Sequence, residues 1–265
     1  MYLIKMKSTL KSKIAKEDRC AKERASEFDM KTKCLNETKK PAIQENTVAA
    51  ENQVSDHIYY LGQGGPRVLI VGNSITLHGP NANIGWTGCW GMAASAREKD
   101  YVHLLFDKTR ELCGGATFCV VHAGIWERAF WDSKALNPLE AVKDFRPDFL
   151  IFRLGENIVP ETCEQYSLFD GVSRLLEFLT IPGETKSILT TCFWKNPKTD
   201  AEIHKSAKKF GALVELGDLG DETAMKASGL FKHTGVAAHP GDLGMRNIAE
   251  RIWQVLSLYL ILNPF

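Results

Sequence analysis

Five short apolar runs constrain this chain more than any other feature. They are 67–72 (RVLIVG), 117–122 (TFCVVH), 148–154 (DFLIFRL), 186–192 (KSILTTC) and 212–216 (ALVEL). The first, Val68-Leu69-Ile70-Val71, is continuous rather than alternating, as expected for a parallel strand covered on both faces. Between the runs lie helical patterns at about 89–112, about 137–145, 161–180 and 199–210, and a last one at 244–261. Strands that alternate with helices imply right-handed βαβ crossovers and a parallel sheet. The expected fold is therefore α/β: a three-layer α/β/α sandwich around a flavodoxin-like, five-stranded parallel sheet.

The segment before this pattern differs in kind. Residues 1–56 hold no Gly or Trp and only two aromatics, Tyr2 and Phe28, but carry 12 Lys+Arg and 9 Asp+Glu. Too few apolar residues are present to join an α/β core, so a helical or disordered extension is expected, with the folded domain at 57–265. Met6, Leu10 and Ile14 recur at helical spacing, and the alternative is a helix through which copies of the chain associate. A net charge of +1 gives no electrostatic case for nucleic acid or an anionic membrane. No apolar run is long enough to span a bilayer, and the Lys-studded start lacks the apolar region of a secretory signal. The seven cysteines are scattered, without any CxxC. That spacing suits neither a disulfide framework nor a zinc site, and a cytoplasmic protein is expected.

The first run ends in a pointed way: RVLIVGNSIT breaks at Gly72 and Asn73 and leaves Ser74 at the carboxyl end of a strand. In open α/β sheets that is the end where ligands bind. A Gly/Pro/Asn-rich connection, 77–88, follows directly, and loops of that length at a strand's carboxyl end are commonly functional. A serine hydroxyl is a poor nucleophile without a neighbouring base, and the transition state needs donors aimed at a developing oxyanion. Three segments offer partners at equivalent places. VVHAGIWER carries Gly124 just past the second run, RLGENIVP carries Asn157 just past the third, and HTGVAAHPGDLGM carries His239 in a loop before the last helix. Singly, Ser74 would pass as a helix N-cap, Gly124 as a turn residue, Asn157 as an Asx-turn former and His239 as a loop histidine. Those roles do not predict all four in this order.

GNSIT, HAGI, GEN and AHPGDLGM, taken together over residues 66–256, resemble the four blocks of the SGNH (GDSL-like) hydrolase superfamily. The resemblance implies ester or acyl hydrolysis without metal or other cofactor, on a small-molecule or glycan ester. It implies Ser74 as nucleophile and His239 as base. The Ser74 and Gly124 N–H groups with the Asn157 amide would form the oxyanion hole. One departure stands out. Members of the family usually carry an aspartate three residues before the histidine, where this chain has Val236. Another group must then orient His239: Glu127, Glu156, Asp242 or, the reading favoured here, a backbone carbonyl. The rival reading is a weak or inactive binding module that keeps the fold.

His78 and His122 are candidate pocket residues by their places behind Ser74 and before Gly124. Trp86, Trp90, Trp126 and Trp131 cluster near the same strand ends, either as core or as a stacking wall for a sugar. A P-loop, a dinucleotide fingerprint, an HExxH helix and a GxSxG elbow are all absent from the sequence.

Overall fold

The computed structural model describes residues 58–262. Everything expected of residues 1–56 therefore lies outside the described residues. Six strands form one sheet: β1 (Ile58–Gln63), β2 (Arg67–Gly72), β3 (Ala116–His122), β4 (Phe149–Arg153), β5 (Lys186–Thr190) and β6 (Gly211–Val214). Their order is β1-β3-β2-β4-β5-β6. The five expected strands are all parallel to one another and keep the flavodoxin-like order, with β2 between β3 and β4.

The sixth strand corrects the expected count. β1 pairs antiparallel with β3, Ile58 opposite Val121, and forms one edge of the sheet, with β6 at the other. Its sequence, IYYLGQ, is half exposed, so it lacks the continuous apolar run that marks the inner strands.

β2 shows how the layers form. Val68 and Ile70 point into one core with Tyr101, Leu105, Met245, Ile248 and Ile252. Leu69 and Val71 point into the other with Trp126, Leu139, Val172 and Leu176. β4 divides likewise, Phe149 and Ile151 against Leu150 and Phe152. Burying each such side chain contributes about 1.5–3 kcal/mol, and a continuous apolar strand collects it on both faces.

Helix α1 (Tyr101–Cys113) starts later than the sequence pattern suggests, because Asp100 caps it by accepting from the His103 N–H at 2.8 Å. The residues ahead of it form turns and a short 3₁₀ stretch. Helix α2 (Gly124–Arg128) follows β3 at once, and residues 133–145 form a run of 3₁₀ turns around Pro138. The expected helix at 161–180 is two: α3 (Thr162–Gln165) and α4 (Leu168–Leu179), separated where Ser167 caps the Asp170 N–H. Helix α5 (Pro197–Phe210) joins β5 to β6. The one-turn α6 (Thr234–Ala237) and the 21-residue α7 (Asp242–Leu262) complete the described chain, and α7 packs beside α1. Among the described residues no helix is long and apolar enough to cross a membrane.

Candidate active site

β2 ends at Gly72, where only glycine fits: a Cβ would lie 1.8 Å from Thr76 Oγ1. The chain then turns tightly over Asn73, whose carbonyl accepts from the N–H groups of Thr76 and Leu77 at 2.9 and 3.0 Å. The Asn73 side-chain oxygen accepts from Ile75 at 3.2 Å. Ser74 sits at the tip. Its carbonyl accepts from Met92 N–H at 2.9 Å, which ties the tip to the next loop. Ala93 in that loop holds φ at 75°, a left-handed conformation that costs an alanine about 1 kcal/mol or more.

Ser74 Oγ lies 2.9 Å from His239 Nε2, across 165 residues of sequence. On the other side of the ring, Nδ1 lies 2.7 Å from the Gly235 carbonyl oxygen. A carbonyl only accepts, so Nδ1 carries the hydrogen and Nε2 is left to accept from the serine hydroxyl. A backbone carbonyl in the short α6 thus holds the tautomer that a serine–histidine pair requires.

The three candidate acids are engaged elsewhere. Asp242 accepts from Ser95 N–H and Oγ, both at 2.8 Å, and from Lys99 at 2.9 Å. Glu156 accepts from Arg153 at 2.6 Å and from the Phe193 N–H at 2.7 Å. Glu127, 1% exposed, accepts from Asn157 Nδ2 and from Gly155 N–H, both at 2.6 Å. Val236, where the acid is usual, is buried with Trp86, Met92, Ala93 and Ala227.

Burial pushes the His239 pKa from 6.5 down to about 4; the Gly235 carbonyl bond and Glu156 work against that shift, while His78 and Arg153 add to it. The ring is therefore neutral and able to accept a proton well below neutrality. If it serves as the base, kcat/KM on an activated ester should stay level from about pH 8 to about pH 6 and fall with an acid midpoint near 4. A midpoint at the ordinary histidine value would show a solvated ring.

Gly124 opens α2, and its N–H lies 3.4 Å from His122 Nδ1, a long contact. Asn157 follows Gly155, where glycine is required: φ is 146°, and a Cβ would lie 2.6 Å from Cys192 Sγ. His78 Nδ1 lies 2.6 Å from the Gly79 carbonyl oxygen; since the carbonyl accepts, Nδ1 is the donor. The His78 and His122 rings meet edge to face at 6.3 Å.

The stacking wall gives way to packing for two of its four members. Trp126 is fully buried against Phe130 and Phe152. Trp86 is buried too, with Nε1 donating to the His78 carbonyl at 3.0 Å. Neither offers a free face. Trp90 is half-buried, edge-on to Trp86, and Trp131 stacks on Tyr166 at 4.4 Å. Among the described residues, Trp194 is an aromatic that meets the Ser74–His239 pair. It lies edge-on to His239 at 5.0 Å, its Nε1 donating to the Ala238 carbonyl. It follows β5 in TTCFWKNP, a strand end of the same kind as those bearing Ser74, Gly124 and Asn157, and that position is the signal by which sequence could have found it.

Among the described residues no cluster of three or more His, Cys, Asp or Glu is arranged to hold a metal ion.

The chain is similar in fold to esterases of known structure. A two-domain esterase active on acetylated mannans matches with a TM-score of 0.46 at 14% identity. The match covers 72% of this chain and 49% of the esterase, so the chain spans about half its length. A protein described as a GDSL-like lipase from Parabacteroides merdae matches at 0.44 and 17% identity, over 73% of this chain and 96% of that one. A family two carbohydrate esterase from Cellvibrio japonicus matches at 0.42 and 16%, over 72% and 60%. No protein-family model and no curated protein sequence matches the chain.

Proposed function

We propose that this protein is a serine esterase of the SGNH type that uses a serine–histidine pair, with a backbone carbonyl in place of the usual acid. The observation that carries the reading is the chain of two hydrogen bonds, Ser74 Oγ to His239 Nε2 and His239 Nδ1 to the Gly235 carbonyl. It supplies a base in the correct tautomer beside a hydroxyl at the carboxyl end of β2. Ser74 attacks the ester carbonyl, His239 takes the hydroxyl proton and returns it to the leaving alcohol, and water then repeats the sequence on the acyl-enzyme. The N–H groups of Ser74 and Gly124 and the Asn157 amide stabilise the oxyanion. The step needs no metal or other cofactor.

A short acyl group, such as acetyl, suits the surroundings. Trp194 lies edge-on to His239 at 5.0 Å and crowds the approach to the base, which favours a small acyl group over a long alkyl chain. A carbohydrate alcohol would use the groove of about 540 Å³ lined by Asn83, Ile84, Phe231, Lys232 and His233, which does not include Ser74 or His239 but is built from the loop after Ser74 and the residues before α6. That mixture of ring, amide and ammonium suits a polyhydroxyl group. An ester panel from acetyl to octanoyl, on aryl and sugar alcohols, tests both choices. A preference for octanoyl aryl esters would overturn them.

Asn157→Ala should lower kcat by about 10²–10³, as loss of one oxyanion donor does elsewhere. KM should move far less, because the bond strengthens only in the transition state. A loss confined to KM would place Asn157 in ground-state binding instead.

The rival reading, a binding module descended from an enzyme, is favoured by the valine at 236. Labelling of Ser74 by a fluorophosphonate separates the two, since the reaction needs an activated hydroxyl.

A further inference from the structure

Glu127 does not touch His239 in any hydrogen bond of the structure, yet it is among the most deeply buried charged groups in the described residues. Its two oxygens are fully engaged. Oε2 accepts from the Asn157 side-chain amide at 2.6 Å. Oε1 accepts from the Gly155 N–H at 2.6 Å, from Asn73 Nδ2 at 3.0 Å and, at 3.4 Å, from the Asn157 N–H. Asn73 also donates to Glu156 Oε2 at 2.7 Å, so its two amide hydrogens bridge two carboxyl groups. These contacts join three strand ends. Asn73 follows β2 and precedes Ser74, Glu127 lies in α2 just after β3, and Gly155 and Asn157 follow β4.

We infer that Glu127 is a positioning residue for the oxyanion hole: it holds the Asn157 amide by one hydrogen, aims the other at the substrate oxygen, and fixes the turn that carries Ser74 through Asn73. The inference rests on the esterase reading. An amide NH₂ has two hydrogens in one plane, so fixing one fixes the direction of the other. A carboxylate does this better than a neutral acceptor, because charge-assisted bonds are shorter and stronger. A buried carboxyl is costly, and four donors gathered on one group are what offset that cost here. Burial and the neighbouring Glu156 raise the Glu127 pKa, while the bonds from Asn157, Gly155 and Asn73 lower it. The same contacts explain why an acid stands at 127 although the imidazole is served by a carbonyl.

Glu127→Gln keeps the shape but turns one acceptor into a donor facing donors. It should lower kcat by about tenfold to a hundredfold, with KM within about threefold, since a misaimed oxyanion donor is felt only in the transition state. In an Asn157→Ala background the same substitution should cost clearly less than it does in wild type, because the amide it aims is gone and only the route through Asn73 to the Ser74 turn remains. Full, multiplicative losses in the double variant would overturn the inference, as would a Glu127→Gln enzyme with wild-type kcat. A second measurement needs no change at Glu127. In wild-type protein, the side-chain amide resonances that vanish in Asn157→Ala should include one hydrogen strongly deshielded relative to its geminal partner. An Asn157 pair with ordinary shifts would overturn the contact even if Glu127→Gln does not fold. Ser74→Ala run in parallel keeps the two claims apart. If that variant is active, the esterase reading fails; if it is dead while Glu127→Gln is unimpaired, only the positioning role fails.

Discussion

Ser74→Ala should abolish hydrolysis of an activated acetyl ester and leave the fold unchanged. The side chain bonds to His239 Nε2 and sits half-buried at the tip of the turn. Removing it leaves the imidazole able to bond water, and the bonds that shape the turn come from Asn73 or from backbone. Stability should therefore stay within about 1 kcal/mol of wild type. Turnover should fall to background. In enzymes with a complete serine triad, loss of the nucleophile costs about 10⁶ in kcat, and the oxyanion hole alone retains a small residue of rate. A pair without the acid starts lower, so the drop here is bounded by the wild-type rate. Melting temperature and fluorophosphonate labelling should be measured on the same sample. A folded Ser74→Ala protein that still hydrolyses the ester would falsify the nucleophile assignment.

What is legible in the sequence and what is not have a common physical basis. The inner strands are legible because both faces of a parallel sheet are covered, which forces continuous apolar runs such as VLIV at 68–71. The points where those runs stop are also where the chain must turn at the carboxyl edge, so Ser74, Gly124 and Asn157 stand out as residues following a run. β1 escapes because its half-exposed IYYLGQ ends in Gly62 and Gln63 and carries no continuous apolar run, whereas β6, the opposite edge, still shows ALV. Trp126 and Trp86 pass as candidates for a wall because aromatics near strand ends look alike in sequence. Only the packing shows that the short α2 turns Trp126 into the core while Trp194 meets His239. The part least legible is the link from Glu127 to Asn157 and Asn73. It spans 30 residues in one direction and 54 in the other, and it depends on three strand ends converging. Nothing in the local pattern GIWER distinguishes a solvent-facing glutamate from one that closes such a network.

Val236→Asp should be strongly destabilising, by about 3–5 kcal/mol. On sequence alone, restoring the acid usual at this place completes a triad, but the side chain there faces a different way. Val236 is 1% exposed and packs in a small apolar cluster with Trp86, Met92, Ala93 and Ala227. Gly235, whose carbonyl already holds His239 Nδ1, precedes Val236 in α6. A carboxylate at 236 would thus be buried among apolar groups while the imidazole already has its partner. An unpaired buried charge costs about 3–5 kcal/mol, or the group stays protonated at a similar cost near neutral pH. Met92 lies in the same cluster and its N–H holds the Ser74 carbonyl, so disturbance there reaches the nucleophile as well as the base. The expected result is a protein less stable by that amount, with kcat reduced rather than raised. Val236→Ala, which removes volume without adding charge, should lose only about 1–3 kcal/mol. Chemical denaturation across pH separates the two causes. A buried carboxyl has its pKa raised on folding, so the Val236→Asp deficit should be largest near neutrality and shrink as the pH falls toward about 4, where the unfolded chain is protonated too. The Val236→Ala deficit should not follow pH. A Val236→Asp protein with wild-type stability and an equal or higher kcat would mean that the aspartate reaches the imidazole, and that the α6 loop opens to admit it.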